Sequence, residues 1–390
     1  MTGWDARAEM LAESNTDLVR LIYAEIIAAP QQRITFARFM QQALGHPEFG
    51  YYSTTTARPG YDGDFLTAPE THPIFGWALA RQVTECWERL GRPADFTVRE
   101  CGAGSGTLAL TILQGLHREF PLVLESLRYE LEDISSERGA AVAAALRADQ
   151  PDLPVYAASA GPITGLVIAN ELLDALPVHR LIVQGGELQE RWVAWRDGWF
   201  ADEVGPLSDP ALAESVRGLP LEEGQALEVS PAVQAWAAEL PQRLERGYAI
   251  LIDYGDTAVD LYDPQRGTEG TVRTYVQHEV GDDPYRRVGV QDLTAHVDFT
   301  AVERAAVDSD PQQALRALGL ISQAFFFAGL AIQELLLQVQ QDATTAEDYL
   351  PARNAVLTLL DPGTLGNFRV LGLARNVEAT PPLKGFSFIL

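Results

Sequence analysis

Three glycines at every second position, Gly102, Gly104 and Gly106, are the part of the sequence that most directly suggests a binding site. They follow an apolar run over 96–101 and precede a stretch with helical spacing, a context in which glycine lets the backbone approach a ligand closely. A dinucleotide fingerprint that begins at Gly102 requires Gly or Ala at position 107, where this chain has Thr107. The turn therefore favours a cofactor other than a dinucleotide.

The acids next to this turn favour S-adenosyl-L-methionine (SAM). Glu100 comes just before the glycines, and its carboxylate suits the cationic sulfonium of SAM. Asp133 ends the next predicted strand, where its two oxygens can accept hydrogen bonds from both ribose hydroxyls. We expect Thr107 and Ile134, which adjoin the turn and this acid, to complete the cofactor contacts. A glycine-rich turn can also be purely structural, so the prediction depends on the strand–turn–helix context.

A second polar group, Asn170, Glu171 and Asp174, closes the apolar run 165–171. The carboxyl ends of parallel strands share one edge of the sheet, so these side chains are expected to face the methyl donor. Two carboxylates and an amide can orient a guanidinium or an ammonium whose nitrogen must point at the methyl carbon. The alternative is that Glu171 and Asp174 cap a following helical turn, and the residues alone leave both interpretations open.

The stretch GDFLTAPETHPIFG, residues 63–76, is the third candidate region. We expect Gly63, Asp64, Thr67 and Pro69 to form a lid that contacts cofactor or substrate, since loops of this kind often carry function. The alternative is a polar loop that simply precedes a helix. His and Cys residues do not cluster with metal-ligand spacing, so no metal is expected.

The charge restricts the classes of partner. The formal net charge is −25, which argues against nucleic acid as the main partner because a phosphate backbone requires clustered Lys and Arg. It suits a cationic substrate such as an arginine-rich protein segment. An ordinary acidic surface explains the same charge, since net charge bears on solubility before function.

Cysteine content and hydropathy bear on location. Two cysteines in 390 residues give no disulfide framework, which indicates a reducing compartment. The first ten residues match neither a secretory signal nor a transit peptide. The most apolar segment, Leu318–Val339, is interrupted by polar residues, so we expect a buried or amphipathic helix and not a membrane span. These observations predict a cytoplasmic protein with no membrane partner.

Strand and helix patterns alternate through the middle of the chain and must position the candidate residues. Helices are predicted over 7–29 and 34–44 and between successive strands, and the strands are predicted over 96–101, 127–133, 154–159, 165–171 and 247–255. This rhythm implies right-handed crossovers. It predicts an α/β fold of the Rossmann-like class with a mainly parallel, doubly wound sheet.

These elements divide the chain into three units. Residues 1–92 are expected to form an N-terminal helical cap with the lid loop, and residues 93–175 and 229–390 a SAM-binding domain with a C-terminal elaboration. Residues 176–228, where GG and DG turns separate apolar runs, are expected to form an inserted β subdomain on the substrate side, between the fourth and fifth strands. The runs FRVLGLAR and FSFIL are expected at the far edge of the main sheet.

Seven blocks resemble, in order, the signature blocks of the MidA-like class I methyltransferases: HPEFGYY, GDFLTAPETHPIFG, ECGAGSGTL, IANELLDALPVHR, LEVSPA, LIDYG and QDLTAHVDF. The resemblance implies a Rossmann-like SAM domain, an inserted substrate-side subdomain and protein arginine methylation that forms symmetric ω-N-dimethylarginine. By position, the three glycines match the family's cofactor loop, and Asn170, Glu171 and Asp174 match the motif beside the acceptor. In LEDISS the acid supports Asp133, while Ser136 stands where the family usually has proline.

The leading hypothesis is a SAM-dependent methyltransferase that acts on an arginine side chain of a protein substrate. Two alternatives remain open. One is a SAM-dependent methyltransferase with a small-molecule acceptor, and the other is a non-catalytic assembly factor with a vestigial SAM site. The intact Glu100, glycine turn and Asp133 argue against a vestigial site.

Overall fold

A computed structural model describes residues 6–53, 69, 72–276 and 279–388. Its strands are β1 Arg33–Thr35, β2 Phe96–Cys101, β3 Leu127–Glu132, β4 Val155–Ala157, β5 Ile163–Asn170, β6 His179–Gln184, β7 Glu187–Arg196, β8 Trp199–Gly205, β9 Ala226–Val229, β10 Leu244–Asp253, β11 Gly255–Asp256, β12 Arg273–Val276, β13 Glu279–Gly281, β14 Asp292–Thr294, β15 Val297–Asp298, β16 Leu315–Ser322 and β17 Arg369–Arg375. Its α-helices are α1 Ala8–Ala12, α2 Thr16–Ala28, α3 Phe36–Gly45, α4 Ile74–Arg89, α5 Thr107–Glu119, α6 Pro121–Leu124, α7 Ser136–Asp149, α8 Ala211–Ser215, α9 Pro231–Ala238, α10 Leu240–Arg243, α11 Ala258–Leu261, α12 Phe299–Asp308, α13 Gln323–Gly329, α14 Ile332–Asp342 and α15 Ala346–Leu360.

The main sheet has seven strands in the order β16–β17–β10–β5–β2–β3–β4. The pairings from β10 to β4 are parallel, whereas β17 is antiparallel to both of its neighbours. The direction in which the chain adds strands reverses between β2 and β5, which is the position where open α/β sheets bind ligands. The predicted α/β fold with a mainly parallel sheet is confirmed.

Alternate residues of β5 pack into two cores on opposite faces of this sheet. Leu166 and Ile168 join the core that α4, α5 and the C-terminal helices cover, while Val167 and Ala169 join the core that α9 and α12 cover. All four are at most 1% exposed. Burial on both faces explains why this strand is a continuous apolar run in the sequence.

The second sheet has the order β1–β7–β6–β9, with β8 also paired to β7. Four of its strands come from the segment between β5 and β10, but β1 comes from the N-terminal region, where Ile34 pairs with Val193. The helix predicted over 34–44 therefore begins at Phe36. The helix predicted over 7–29 is two helices, because the Asn15 side chain accepts a hydrogen bond from the Leu18 N–H at 3.2 Å and starts α2.

The C-terminal region differs from the prediction in three ways. Leu315–Ser322 is β16, the edge strand of the main sheet, and the apolar segment becomes helical only afterwards, in α13 and α14. FRVLGLAR is β17 and lies inside the sheet, so Leu371 and Leu373 are fully buried. Within FSFIL, Phe386 ends a short 3₁₀ helix and packs against Phe326 instead of pairing as a strand. Among the described helices, none is long and apolar enough to cross a membrane.

Candidate functional site

The carboxyl ends of β2, β3 and β5 border a cavity of about 460 Å³, which we call the glycine-turn cavity. One side consists of the residues that follow these strands. The other side comes from the N-terminal region and contains Met40, Leu44, Tyr51, Tyr52 and Pro69. The cavity therefore lies at the reversal of strand order, with residues of the predicted cap facing the sheet.

The glycine turn has left-handed backbone at three positions. The φ angles are +78° at Gly102, +53° at Gly104 and +80° at Gly106, a region that L side chains disfavour. The Gly104 N–H donates to Asp133 Oδ2 at 2.9 Å, which fixes the turn after β2 to the end of β3. Thr107 begins α5 directly after the turn and lines the cavity.

Packing inside the protein, and not only a ligand, requires two of these glycines. A Cβ at Gly102 would lie 3.0 Å from the side chain of Leu172, and a Cβ at Gly106 would lie 2.9 Å from Val142 and Leu146 of α7. Among the described residues that line the glycine-turn cavity are Gly102 and Gly104, but not Gly106. Gly106, directly before α5, thus packs closely against α7, and its expected role beside the cofactor stays a prediction.

Asp133 is held by several groups at once. Besides the Gly104 N–H, its carboxylate accepts a hydrogen bond from the Ile134 N–H at 2.8 Å and pairs with the Arg138 guanidinium at 3.1 Å. Arg138 also donates to the backbone carbonyl of Tyr52. This acid thus connects the glycine turn to the N-terminal region, and Ile134 beside it lines the cavity with an exposed side chain.

Glu100 lines the glycine-turn cavity as a buried carboxyl group, with 2% of the residue exposed. The Tyr129 hydroxyl donates to it at 2.6 Å. Burial raises the pKa of Glu100 to about 8, because the charged form loses its hydration. A cation bound beside this group would restore the carboxylate form.

The residues of the glycine-turn cavity fit SAM. Its volume lies within the range of small-molecule sites. Asn170 Oδ1 is buried and has no hydrogen-bond partner among the described residues, so it can accept from a ligand N–H such as the α-ammonium of the methionine end. Glu100 places a carboxyl group where a cationic ligand compensates its burial. An acceptor oxygen and a buried acid together suit a ligand that carries positive charge.

A second cavity, of about 930 Å³, shares Tyr52 and Glu171 with the first, and we call it the acidic cavity. Its charged lining consists of Glu171, Asp174, Glu228, Asp256, Asp260, Arg266, Glu269, Arg273 and Asp292. Arg266 pairs with Asp256 at 3.2 Å and with Asp260 at 2.6 Å, which balances part of the charge. The remaining excess of carboxylates favours a cationic ligand.

Asp174 is a buried acid at the junction side of this cavity, with 5% of the residue exposed. The Tyr254 hydroxyl donates to its Oδ2, and its Oδ1 has no hydrogen-bond partner in the described part of the chain. Burial raises its pKa to about 6. Asp253 lies behind it, accepting the N–H groups of Leu173 and Tyr254 at 2.9 Å each, and burial together with the charge of Asp174 raises the pKa of Asp253 as well.

The structure brings Asn170, Glu171 and Asp174 together at the junction of the two cavities. Asn170 Nδ2 donates to Glu171 Oε1 at 3.1 Å, and Glu171 has a left-handed backbone with φ +50°. Residues 171–178, all of which are described, form turns and bends. The Leu176 N–H donates to the Leu173 carbonyl at 3.2 Å in this turn, and the N–H groups of Leu173 and Asp174 donate to Asp253. That Glu171 and Asp174 cap this turn stays an alternative.

Several residues of the acidic cavity were missed by the sequence interpretation. Tyr52, Tyr254 and Asp292 line it, as does His296, whose ring centroid lies 5.5 Å from that of Tyr254. Burial lowers the pKa of His296. The available signal was the block QDLTAHVDF, which contains Asp292 and His296 but received no role.

The lid prediction falls largely on residues that are not described. Gly63, Asp64 and Thr67 lie outside the described residues, whereas Pro69 lines the glycine-turn cavity. Within the described ranges, no group of three or more His, Cys, Asp or Glu side chains is placed to hold a metal ion.

Comparison with known sequences gives a consistent family. Residues 78–317 match the profile of a family described as "Putative S-adenosyl-L-methionine-dependent methyltransferase". The chain is 29% identical to the mitochondrial "Protein arginine methyltransferase NDUFAF7 homolog" of Drosophila melanogaster, over 97% of this chain and 91% of that one. It is 27% identical to the mitochondrial "Protein arginine methyltransferase NDUFAF7" of Homo sapiens, over 87% and 80% of the two chains.

Comparison with solved structures extends the similarity to the whole fold. A Burkholderia thailandensis protein, described as a "likely methyl transferase" and bound to S-adenosyl-homocysteine, is 33% identical, with a TM-score of 0.87 over 98% of this chain and 97% of that one. A second crystal structure of a protein from the same organism gives 32% identity and a TM-score of 0.83 over the same shares. The fold and the family thus agree.

The predicted cytoplasmic location is corrected by these comparisons. The curated relatives, from fly to human, are named as mitochondrial proteins. The prediction depended partly on the two cysteines, which are both free and buried. Free thiols indicate a reducing compartment but do not distinguish one reducing compartment from another.

Proposed function

This chain belongs to that family of S-adenosyl-L-methionine-dependent methyltransferases, and on this premise we propose that it methylates an arginine side chain of a protein substrate. The names of the curated relatives as protein arginine methyltransferases support the proposal and imply a protein substrate. The net charge of −25 is compatible with a basic protein segment and unfavourable for nucleic acid.

The observation that carries the proposal is the buried carboxylate of Asp174 in a cavity that adjoins the SAM site. Its Oδ1 has no hydrogen-bond partner among the described residues, and a guanidinium supplies two parallel N–H donors for a carboxylate. Glu171 lines both cavities, which supports a role for it where the acceptor nitrogen meets the methyl group. A neutral acceptor would leave these acids uncompensated.

We assign roles to the predicted residues on this basis. Glu100, the glycine turn at Gly102 and Gly104, Thr107, Asp133 and Ile134 hold the cofactor, and SAM when bound supplies a methyl group on a cationic sulfonium. Asn170, Glu171 and Asp174 orient the guanidinium. Methyl transfer to nitrogen releases one proton, and Asp174, with a pKa of about 6, is a carboxylate that can receive it. Positioning and electrostatics supply the remaining acceleration.

We also propose a role for each of the three units of the chain. We infer that residues 1–92 form a cap whose Tyr51, Tyr52 and Pro69 cover the SAM site. Residues 93–175 and 229–390 form the SAM-binding domain. Residues 176–228 form the inserted β subdomain on the acceptor side, where Gln225 and the first three residues of β9 line the acidic cavity.

Radiolabelled methyl transfer from SAM into a lysate of the source cell tests the proposal. We expect the label in protein, and mass spectrometry of the labelled species to find it on arginine. Label confined to small molecules would replace this proposal with the small-molecule alternative. Titration calorimetry with SAM addresses the third hypothesis, since absence of measurable affinity would leave only an assembly factor.

A further inference from the structure

The block QDLTAHVDF, which received no role from the sequence, forms part of the wall of the acidic cavity. It contains β14, and Asp292 at the start of β14 pairs in register with Tyr275 of β12. Asp292 is 1% exposed and lines the acidic cavity, as Tyr275 does. A carboxyl group on a regular strand, packed so tightly, has a fixed position.

The Tyr52 hydroxyl holds the Asp292 carboxylate from the N-terminal side. It donates to Asp292 Oδ1 at 2.8 Å, and the Leu293 N–H donates to the same oxygen at 2.9 Å. Burial and then the charges of Asp292 and Asp174 raise the pKa of the Tyr52 phenol. The same two charges also raise the pKa of the Tyr275 phenol, below the effect of burial. Both carboxylates line the acidic cavity, and the N–H of Ala295, which directly follows β14, donates to the Asp174 backbone carbonyl at 3.0 Å. These contacts place Asp174 and Asp292 around one region of that cavity.

We propose that Asp292 is the second carboxylate that recognises the substrate guanidinium, opposite Asp174, and that Tyr52 is its positioning residue. This inference rests on the proposed function and names the residue that selects arginine within it. A guanidinium has more than one donor edge, so it can bind two carboxylates while its remaining nitrogen faces the methyl donor. The compact ammonium of lysine cannot donate to both in that manner.

Tyr52 also connects this recognition to the cofactor site. Its backbone carbonyl accepts a hydrogen bond from Arg138, which pairs with Asp133 at 3.1 Å, and Asp133 holds the Gly104 N–H. The position of Asp292 relative to the methyl donor is therefore set through a continuous series of polar contacts. Tyr52 thus contributes to the alignment of the acceptor nitrogen with the methyl carbon, because it contacts both Asp292 and Arg138.

The test is equilibrium binding, by NMR titration, of N-acetyl-arginine amide and N-acetyl-citrulline amide to the full chain saturated with S-adenosyl-homocysteine. Citrulline has the shape of arginine without its charge. We expect the wild type to prefer the arginine compound by about tenfold or more, and Asp292→Asn to lose most of that preference. Asp202→Asn is the matched control, because Asp202 also accepts from a tyrosine hydroxyl, that of Tyr285, but lines neither cavity among the described residues.

Each outcome decides the inference. A wild type that binds both compounds equally, or an Asp292→Asn variant that keeps the full preference, would overturn it even where the methyl label appears on arginine. Conversely, a wild type that shows the preference but never labels arginine would contradict the proposed function alone. Should Asp292→Asn not fold, as judged by its S-adenosyl-homocysteine affinity, Tyr52→Phe replaces it. That variant removes only the hydroxyl donor, and an unchanged preference in it would count against the positioning role.

Discussion

The two adjoining cavities are assembled in different ways. The glycine-turn cavity takes its sheet side from Trp236 of α9 and from three short segments, 100–108, 132–138 and 170–177, each of which contains the end of a parallel strand and residues after it. The acidic cavity combines Tyr52 and Asp174 with residues from 225 to 296 and from 364 to 368. The sheet side of the first cavity is therefore formed mainly by turns at the ends of parallel strands, whereas the acidic cavity exists only after distant segments have packed together.

This difference separates two kinds of chemistry. The glycine-turn cavity is built on backbone geometry, with positive φ angles and N–H groups fixed by Asp133. The acidic cavity is built on side-chain charge, with buried carboxylates such as Asp174 and Asp292 held by tyrosine hydroxyls. A fixed turn suits a cofactor common to many enzymes, while a charged cavity from distant residues suits an acceptor particular to one family.

Gly104→Val gives the largest expected effect and tests whether the two cavities are separable. We expect SAM binding to become undetectable by calorimetry, since a branched side chain cannot adopt φ +53° without moving the turn. Gly218→Val is the control, because Gly218 has φ +81° and no atom lies within 4 Å of the position that a Cβ would take there. We expect this control to lose about 1–2 kcal/mol of stability and to keep normal SAM affinity. Wild-type SAM affinity in Gly104→Val would mean that the cofactor site is misplaced.

Asp174→Asn is expected to affect the acidic cavity alone. Methyl transfer should fall by about 100-fold or more, because an amide neither receives the proton nor pairs with the guanidinium. SAM affinity should stay unchanged. In the wild type, transfer should rise with pH through about 6, the pKa of the Asp174 carboxyl group, since only the charged form acts. Full turnover by the variant, measured with the labelled acceptor, would remove Asp174 from the acceptor site.

Glu100→Gln gives the smallest effect and tests the buried acid of the glycine-turn cavity. The folded-state pKa of Glu100 is raised from 4.5 to about 8, so between these values the folded state holds a proton that the unfolded state has lost. The stability that this group contributes is complete below 4.5 and is lost as pH rises toward 8. We expect the free energy of unfolding of the SAM-free chain, measured with denaturant, to decrease with pH in this range. In Glu100→Gln the slope of that decrease should be smaller, by at most about 1.4 kcal/mol per pH unit. Identical slopes in both proteins would argue against a raised pKa.

The parallel strands with helices between them were predictable because each buried strand and each capped helix has a local signal. The strand β16 at the edge of the main sheet was not predictable in this way. Leu315–Ser322 lies at the start of a long apolar stretch that continues into α13 and α14, so periodicity alone favoured a single helix over 318–339. Its strand conformation comes from pairing with β17, a partner more than 45 residues away. Pairing with a distant strand leaves no mark in the local sequence.

The candidate site shows the same limit. Glu100, Asp133 and Asn170 lie at the carboxyl ends of predicted strands, so parallel topology was enough to place them at one edge. Gly106 satisfies the motif, and in the structure it packs against α7. The sequence pattern could not show this contact, because glycine allows close approach to a helix as well as to a ligand. Asp292 was invisible as a site residue, since the Tyr52 hydroxyl that holds it comes from the opposite end of the sequence.

The short strand β1 has a consequence for biosynthesis. Its backbone partners lie on β7, and further N-terminal contacts run from the Arg7 N–H to the Gly198 carbonyl and from the Asn15 N–H to the Val288 carbonyl. A chain that emerges from the ribosome N-terminus first therefore carries α2 and α3 with uncovered apolar faces until most of the protein has been translated. The Tyr52 hydroxyl can reach Asp292 only after residue 292 has been synthesised. A nascent chain that ends before Asp292 therefore has no complete acidic cavity, and the substrate side of the molecule is the last to be assembled.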